Sequence, residues 1–296
     1  MRKSFFESLT DNAVVDNKVI FLTADLGFGF VEDFIKKCPS QFINVGVSEQ
    51  AMLGLANGLA ISGKKVICYS IAAFSLVRPF EFFRNGAIAQ GSAVMVVGVG
   101  PGFDYSQDGL SHYCLEDLAM MQSQPEVNIQ TPFTPQAVKQ SVQKFVLNPK
   151  PTYLRLPRNL DKYTIMDLEI TEPEGVDVLI ICTALMGKRA NEISQKLTEA
   201  GLKVVIGSTN ELSVKLDSKI VEHLKLAKKV LIVEDHYEFG GVGTRVGELV
   251  SANKININVI KDGVIKVPRG AIGDFTFMEN KLMKNTKNII DLLKKS

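Results

Sequence analysis

Short apolar runs rich in β-branched residues alternate along the chain with longer segments of helical periodicity. Such runs are typical of buried strands in a parallel sheet, and their alternation with helical segments is typical of βα units. We therefore predict an α/β fold with mostly parallel sheets flanked by helices. The predicted strands cover residues 19–22, 65–69, 93–99, 152–156, 178–181, 203–206 and 229–233.

A polar stretch that contains prolines divides this pattern into two parts. Residues 157–175 lack hydrophobic periodicity, and clusters of this kind between periodic segments indicate loops or linkers. We place a domain boundary near residues 160–175, which predicts two domains, each with its own mostly parallel sheet. The first covers residues 1–162. The second and smaller covers residues 175–296, with helices predicted at 188–199 and 240–249 and a C-terminal surface helix at 281–296.

Composition and charge narrow the classes of function. The 34 basic and 32 acidic residues give a net charge of +2, and no basic stripe of the kind that binds nucleic acid is present. No apolar run reaches the roughly 18 residues of a membrane span, and the N-terminus lacks a secretory signal pattern. The four cysteines are far apart, which indicates reduced core thiols and no metal site. We expect a cytoplasmic protein with small-molecule and protein partners, and neither nucleic acid nor membrane as a partner.

Glu49 stands at the start of an apolar helix of small residues predicted at 51–61. An ionised carboxylate withdrawn from water is costly unless it is paired, so an acid here is suited to sharing a proton with a base on a ligand. The alternative interpretation is that Glu49 only stabilises the first turn of the helix through the helix dipole.

Two further segments follow predicted strands, at the edge where parallel sheets bind ligands. Phe74 comes after the strand at 65–69 and could stack on a planar heterocycle, or it could simply be part of the core. The glycine-rich loop at 98–112 carries Asp108 and His112, which could bind the hydroxyls of a polyol and move protons at its carbonyl group. Alternatively, Asp108 is a turn residue and Ser111 a helix cap.

In their order along the chain, these motifs resemble the transketolase family of thiamine diphosphate enzymes. The resemblance covers nearly the whole chain, with a pyrimidine-binding domain before residue 162 and a transketolase C-terminal-like domain after residue 175. It therefore implies the thiamine diphosphate-binding fold. The segments that carry it are Ala24-Asp25-Leu26, Gly46-Val47-Ser48-Glu49, Tyr69 to Phe74, Asp108 to His112, Glu234-Asp235-His236 and Gly240-Gly241-Val242-Gly243.

The resemblance also implies roles for individual residues. Glu49 would hydrogen-bond N1′ of the cofactor's aminopyrimidine, and Phe74, with Phe80 as a second candidate, would stack on that ring. Asp25 and Leu26 would complete the cofactor contacts. Asp108 and His112 would bind substrate hydroxyls and act with Glu49 in catalysis. Substrate phosphate would be held by side chains from the set Arg2, Arg155 and Arg158.

A complete transketolase also has a diphosphate-binding domain, whose Gly-Asp-Gly motif carries Mg²⁺. No Gly-Asp-Gly occurs in this sequence. The resemblance thus implies the C-terminal half of a split transketolase, which transfers a two-carbon ketol unit from a ketose or ketose phosphate to an aldose. It would work with a separate N-terminal, diphosphate-binding subunit as an α2β2 assembly, and the Mg²⁺ ligands would lie on that subunit.

Two departures from the family pattern concern the substrate. Gly100 stands where a substrate-contacting His is expected, and Gly29 stands where a phosphate-contacting Ser is expected. A modified or nucleotide-linked sugar is therefore an alternative to a pentose phosphate.

Three other classes of protein remain as alternatives. They are the β subunit of a 2-oxo acid dehydrogenase, a fragment of a deoxyxylulose phosphate synthase, and a noncatalytic interaction subunit that has kept the fold. The segment Asp108 to His112 argues against the first, and the single-chain form of the second enzyme argues against it. Retention of Glu49 argues against the third, because a buried acid without a ligand would only reduce stability.

Overall fold

Seven strands form the first sheet of the computed structural model, which describes residues 1–158, 160, 175–212 and 214–295. These strands are β1 (Val19–Thr23), β2 (Phe42–Asn44), β3 (Lys65–Ile71), β4 (Val94–Val99), β5 (Asn128–Gln130), β6 (Thr152–Leu156) and β9 (Glu211–Leu212). Their order is β2-β1-β3-β4-β6-β5-β9, and every pair is parallel except β5 with β9. The final strand belongs to the C-terminal part of the chain, so the first sheet is completed by a later segment.

The second sheet is parallel throughout and has four strands. They are β7 (Val176–Cys182), β8 (Val204–Gly207), β10 (Ala227–Tyr237) and β11 (Asn258–Val264), in the order β11-β10-β7-β8. The α/β class with two mostly parallel sheets agrees with the sequence prediction.

Helices cover the faces of both sheets. The first sheet is flanked by α1 (Arg2–Val15), α2 (Glu32–Lys37), α3 (Glu49–Ile61), α4 (Phe80–Phe82), α5 (Asp117–Gln122) and α6 (Pro135–Leu147). The remaining helices are α7 (Gly187–Glu199), α8 (Val214–Leu226), α9 (Val242–Ala252), α10 (Phe275–Leu282) and α11 (Thr286–Lys295). Two π-helical stretches, Ala73–Val77 and Phe83–Ile88, lie on either side of α4.

The apolar runs become central strands because helices bury both of their faces. Every residue of β1 and of β4 is buried, which is typical of parallel strands that are covered on both sides. Local signals also match the helices. For example, α6 begins with Pro135, and the hydroxyl of Thr134 accepts the backbone N–H of Ala137 as an N-cap.

Buried ion pairs join the two sheets. Arg155 of β6 donates to Asp117 at 2.8 Å and to Asp235 of β10 at 3.0 Å, and all three side chains are almost fully buried. The hydroxyl of Tyr153 also donates to Asp117, and that of Thr183 donates to Asp235. The C-terminal sheet is therefore fixed to the carboxyl end of β6, close to the loops that follow β3 and β4.

The C-terminal segment differs from its prediction as a single surface helix at 281–296. It forms two helices, α10 and α11, and Ile289 and Leu293 of α11 are completely buried. The many lysines of this segment made it look like a surface helix, but its apolar residues form a stripe that packs on the core of the second sheet. The predicted domain boundary falls mostly on residues 161–174, which lie outside the described residues.

The four cysteines are free and buried, as the sequence predicts. Within the described ranges, no helix combines the length and the apolar character needed to cross a bilayer.

Candidate active site

Glu49 is the first residue of α3 and is buried, with only 5% of its side chain exposed. The loop before it turns at Gly46, whose φ of +70° is a left-handed conformation that favours glycine. The carboxylate accepts a hydrogen bond from Nη1 of Arg78 at 3.4 Å. Glu49 is therefore a largely desolvated acid whose cationic partner in the described part of the chain is the partly exposed Arg78.

The loop after β1 lies directly behind the loop that carries Glu49. The side-chain oxygen of Asn44 accepts the backbone N–H groups of both Asp25 and Gly46, each at 3.0 Å, and its amide nitrogen donates to the Asp25 carboxylate. Asp25 adopts a φ of +55°, which is uncommon for a residue other than glycine. Leu26 is tied to Thr23 through the Thr23 hydroxyl. Asp25 and Leu26 thus border the site through these loops.

Phe74 lies on the π-helical turn that follows β3, and it connects Glu49 to His112. The Arg78 guanidinium that pairs with Glu49 lies over the Phe74 ring, 3.9 Å from its centroid. The His112 imidazole meets the same ring edge to face, with centroids 5.0 Å apart. Contacts therefore run without interruption from Glu49 through Arg78 and Phe74 to His112. π-Helical turns of this type are frequent at functional sites.

The C-terminal domain holds the loop that carries Asp108 and His112. The Ser106 hydroxyl donates to the carbonyl of Gly273 at 2.7 Å, and Tyr113 donates to the carbonyl of Pro268. Asp108 is exposed, whereas His112 is half-buried and lies 2.9 Å from the Ser111 hydroxyl through Nδ1. Of these two side chains, His112 is the one that contacts Phe74.

Arg2 and Arg158 belong to a second cluster beside this loop. Arg2 lies over Phe30 and Arg158 over Tyr105, at 4.7 Å and 4.3 Å from the ring centroids. The Nε atoms of both arginines are buried and have no hydrogen-bond partner among the described residues. Unpartnered buried donors of this kind favour an acceptor ligand such as an anion.

Tyr105 explains how the structure accommodates Gly100. A Cβ atom on residue 100 would lie 2.2 Å from Cε2 of Tyr105, and the backbone there has a φ of +64°. The ring of Tyr105 therefore fills the volume into which a larger side chain at position 100 would project.

Asp104 binds Arg158 of this cluster through both its carboxylate and its backbone carbonyl. Its carboxylate accepts the backbone N–H of Arg158 at 2.7 Å. Burial raises the pKa of Asp104 to about 6, although this hydrogen bond and the Arg158 charge oppose the shift.

Two residues predicted for the site have other surroundings. Arg155 is buried, and its guanidinium is bound by Asp117 and Asp235, so its donors face these carboxylates and not a substrate. The expectation that Arg155 binds substrate phosphate is thus replaced by a structural role between the two sheets. Phe80 is half-buried and packs against the apolar core of the first sheet.

Sequence reasoning missed Arg78 and Tyr105. Arg78 is the only charged residue between Lys65 and Glu81, and it follows Phe74 by four positions. The sequence therefore offered one indication that Arg78 could belong to the site: it is a single charge in an apolar segment, about one helical turn after Phe74.

Two family models, two related sequences and one solved structure that match this chain all describe transketolases or transketolase domains. The family model "Transketolase, pyrimidine binding domain" matches residues 1–162, and "Transketolase, C-terminal domain" matches residues 168–273. One of the subunits of an apulose-4-phosphate transketolase from Phocaeicola vulgatus is 30% identical over 271 residues, which cover 88% of this chain and 86% of that protein. A putative transketolase C-terminal section from Methanocaldococcus jannaschii is 30% identical over 275 residues, which cover 89% and 86%. A solved structure of a split-gene transketolase, described as an inactive beta4 tetramer, is 28% identical, with a TM-score of 0.82 over 99% of this chain and 96% of that chain.

Proposed function

The chain belongs to the transketolase family, and from this premise we propose that it is the C-terminal subunit of a split, thiamine diphosphate-dependent transketolase. The reaction proposed is the transfer of a two-carbon ketol unit from a ketose or ketose phosphate to an aldose. The observation that carries this proposal is the continuous contact of buried Glu49 with Arg78, Phe74 and His112 at the ends of parallel strands.

The residues around Glu49 fit the aminopyrimidine end of the cofactor. Glu49 offers a buried carboxyl group that can hold a proton at N1′, and Phe74 offers an aromatic face for stacking. The loop at Asp25 and Leu26 closes the same side of the site. When bound, thiamine diphosphate supplies an electron sink that stabilises the carbanion of the transferred unit. This chain's part is to position the ring, exclude water and control the proton at N1′.

His112 and Asp108 are proposed to bind the sugar. The His112 imidazole touches the proposed stacking residue Phe74, so it is suited to donate to the substrate carbonyl or to an adjacent hydroxyl. Asp108 is exposed on the same loop and can accept a hydrogen bond from a further hydroxyl.

We assign the anionic end of the substrate to Arg2, Arg158 and Tyr105. The two unpartnered Nε–H groups and the neighbouring phenol are hydrogen-bond donors, and the two arginines also carry the positive charge that favours phosphate binding. In the assembled enzyme, Tyr105→Phe should raise the KM of a phosphorylated ketose by about tenfold, because one hydrogen bond to a charged group is lost, with kcat nearly unchanged. The KM of the unphosphorylated ketose should not change. Equal effects on both substrates would show that Tyr105 does not contact the phosphate.

A separate N-terminal subunit is proposed to carry the diphosphate and its Mg²⁺, in an α2β2 assembly. The Gly-Asp-Gly motif is absent from the full sequence. Exposed apolar side chains lie just before α3, along it and beside it, namely Val47, Leu55 and Phe82, which are 74%, 38% and 40% exposed. Such a border is typical of an interface with another subunit.

The substitution Glu49→Gln tests the proposed function. In the assembled enzyme it should lower kcat for ketol transfer by at least about 100-fold, because an amide cannot exchange a proton with N1′. Assembly with the partner, measured by sedimentation velocity, should be unchanged. The matched control is Glu81→Gln, which changes an exposed carboxylate on the neighbouring helix and should retain full activity. Wild-type turnover in Glu49→Gln would refute the catalytic assignment.

A further inference from the structure

Arg78 makes the two contacts that a bound aminopyrimidine would need. Its Nη1 lies 3.4 Å from the Glu49 carboxylate, and its guanidinium carbon lies 3.9 Å from the centroid of the Phe74 ring. A guanidinium is planar, donates hydrogen bonds in its own plane and stacks on aromatic faces. It therefore has the shape and the donor pattern of a protonated heterocycle.

The position of Arg78 allows it to leave. Its side chain is 49% exposed, and among the described residues Glu49 is its only hydrogen-bond partner. It stands at the C-terminal end of the π-helical turn Ala73–Val77 and immediately before Pro79. By contrast, Glu49 is buried at the start of α3, and Phe74 lies at the beginning of the π-helical turn, just after β3.

We infer that Arg78 occupies the pyrimidine position of the free subunit and must be displaced when the cofactor binds. This inference rests on the proposed function, because it takes Glu49 and Phe74 as the pyrimidine contacts. Before assembly, the Arg78 guanidinium takes the place of the aminopyrimidine: it pairs with the Glu49 carboxylate and covers the face of the Phe74 ring. Displacement releases Glu49 from a cation that would otherwise compete for its carboxylate.

The test is a binding measurement on the complete, isolated chain. The probe is 4-amino-5-hydroxymethyl-2-methylpyrimidine, the ring portion of thiamine, titrated by NMR into the wild type and into Arg78→Met. Methionine retains much of the length of the side chain and loses its charge and planarity. We expect binding to tighten by roughly three- to tenfold in Arg78→Met, since the competing ion pair and ring contact are both removed. Arg84→Met is the matched control, because Arg84 is exposed and its hydrogen-bond partner within the described ranges is Asn85, and its affinity should equal that of the wild type.

Salt gives an independent check. Raising the ionic strength from about 0.05 to about 0.5 M should strengthen binding to the wild type, because it screens the pair between Arg78 and Glu49, and should leave Arg78→Met unaffected. Equal or weaker binding by Arg78→Met, or no detectable binding, would overturn the inference, since Arg78 would then be neutral or helpful to the ligand.

A readout without ligand tests occupancy directly. The Nε–Hε resonance of Arg78, assigned by comparison with Arg78→Met, should move in Glu49→Gln and in Phe74→Ala. If neither substitution moves it, Arg78 does not occupy this position. The proposed function is judged separately by the activity of Glu49→Gln in the assembled enzyme, so the two hypotheses fail through different measurements.

Discussion

Glu234 is an acid with its own structural task at the start of α9. Its carboxylate accepts the backbone N–H groups of Val242 at 2.7 Å and Gly243 at 3.2 Å, so it caps the helix from the end of β10. A Cβ atom at Gly241 would lie 2.1 Å from the carboxylate, which explains the glycine there. Burial raises the pKa of Glu234 to about 7, although the two N–H donors oppose the shift.

This raised pKa predicts how stability depends on pH. The native carboxyl group binds its proton more tightly than the unfolded one, whose pKa is 4.5, so the native state holds more protons between these two values. The contribution of Glu234 to the free energy of unfolding should therefore fall as the pH rises from about 4.5 to 7, by up to ~3 kcal/mol. Urea unfolding of the wild type and Glu234→Gln, compared at pH 5 and pH 8, measures this. The wild type should lose stability relative to the variant at pH 8, and a constant difference would contradict the prediction.

His236 is held in its neutral form beside Glu234. Its Nδ1 donates to the carbonyl of Tyr237 at 2.7 Å, and its Nε2 accepts the backbone N–H of Ala119 at 3.3 Å. Burial lowers the pKa of His236. His236 thus fixes the end of β10 to α5, while Glu234 of the same segment fixes it to the start of α9.

The sequence was sufficient to nominate the main side chains of the candidate site, and the structure brings Glu49, Phe74 and His112 together. Each of them follows a strand end, and a parallel sheet gathers such ends at one edge. The isolated charge of Arg78 was visible in the sequence, but the contacts of Arg78 and Tyr105 could not be foreseen, because they depend on the path of a π-helical turn and on the volume beside Gly100. Arg155 was misjudged for a related reason, since its partners Asp117 and Asp235 are distant in sequence.

At the level of the elements, Arg155 joins β6, α5 and β10 through fully desolvated charges. Removing one member of such a cluster leaves the other charges buried without compensation. We expect Arg155→Met to reduce the free energy of unfolding by about 3–5 kcal/mol in urea titrations. The exposed Arg84→Met should change stability by no more than about 0.5 kcal/mol. A loss below that of the control would show that the cluster contributes nothing to the joint between the sheets.

Strands whose apolar runs are buried on both faces, such as β3 and β10, could be predicted. The seven-residue strand β11 was missed, because it lies at the edge of its sheet and only its last three residues are buried. The strands β2 and β5 have three residues each, which is too few for a hydrophobic period to emerge. The two-residue β9 pairs with β5 across the domain boundary, and nothing in its own composition indicates this partner. These short strands were therefore not predicted, because they form through pairing with neighbouring strands and have no recognisable pattern in their own sequence.

At the scale of the whole molecule, the two sheets make different contributions to the candidate site. The first supplies Glu49, Phe74 and the loop with His112, while the C-terminal domain holds that loop through Gly273 and Pro268. The C-terminal domain is therefore expected to act on the site by positioning the loop. Beside this loop lie Arg2 and Arg158, which stack on Phe30 and Tyr105 and which we propose as the residues that bind the anionic end of the substrate.

This division predicts how the isolated chain treats the cofactor. It has the proposed contacts for the pyrimidine ring but no Gly-Asp-Gly motif for a magnesium diphosphate. We therefore expect isothermal titration to show weak binding of thiamine diphosphate, with nearly equal affinity for thiamine itself and no response to Mg²⁺ or to its removal by chelator. Adding the N-terminal subunit should strengthen binding and make it dependent on Mg²⁺, because the phosphates then gain their metal site. Glu49→Gln in the same complex should keep the dependence on Mg²⁺, since that substitution leaves the phosphate site untouched. Tight, Mg²⁺-dependent binding by the chain alone would mean that the diphosphate site lies within these 296 residues, and the proposal of a split enzyme would be wrong.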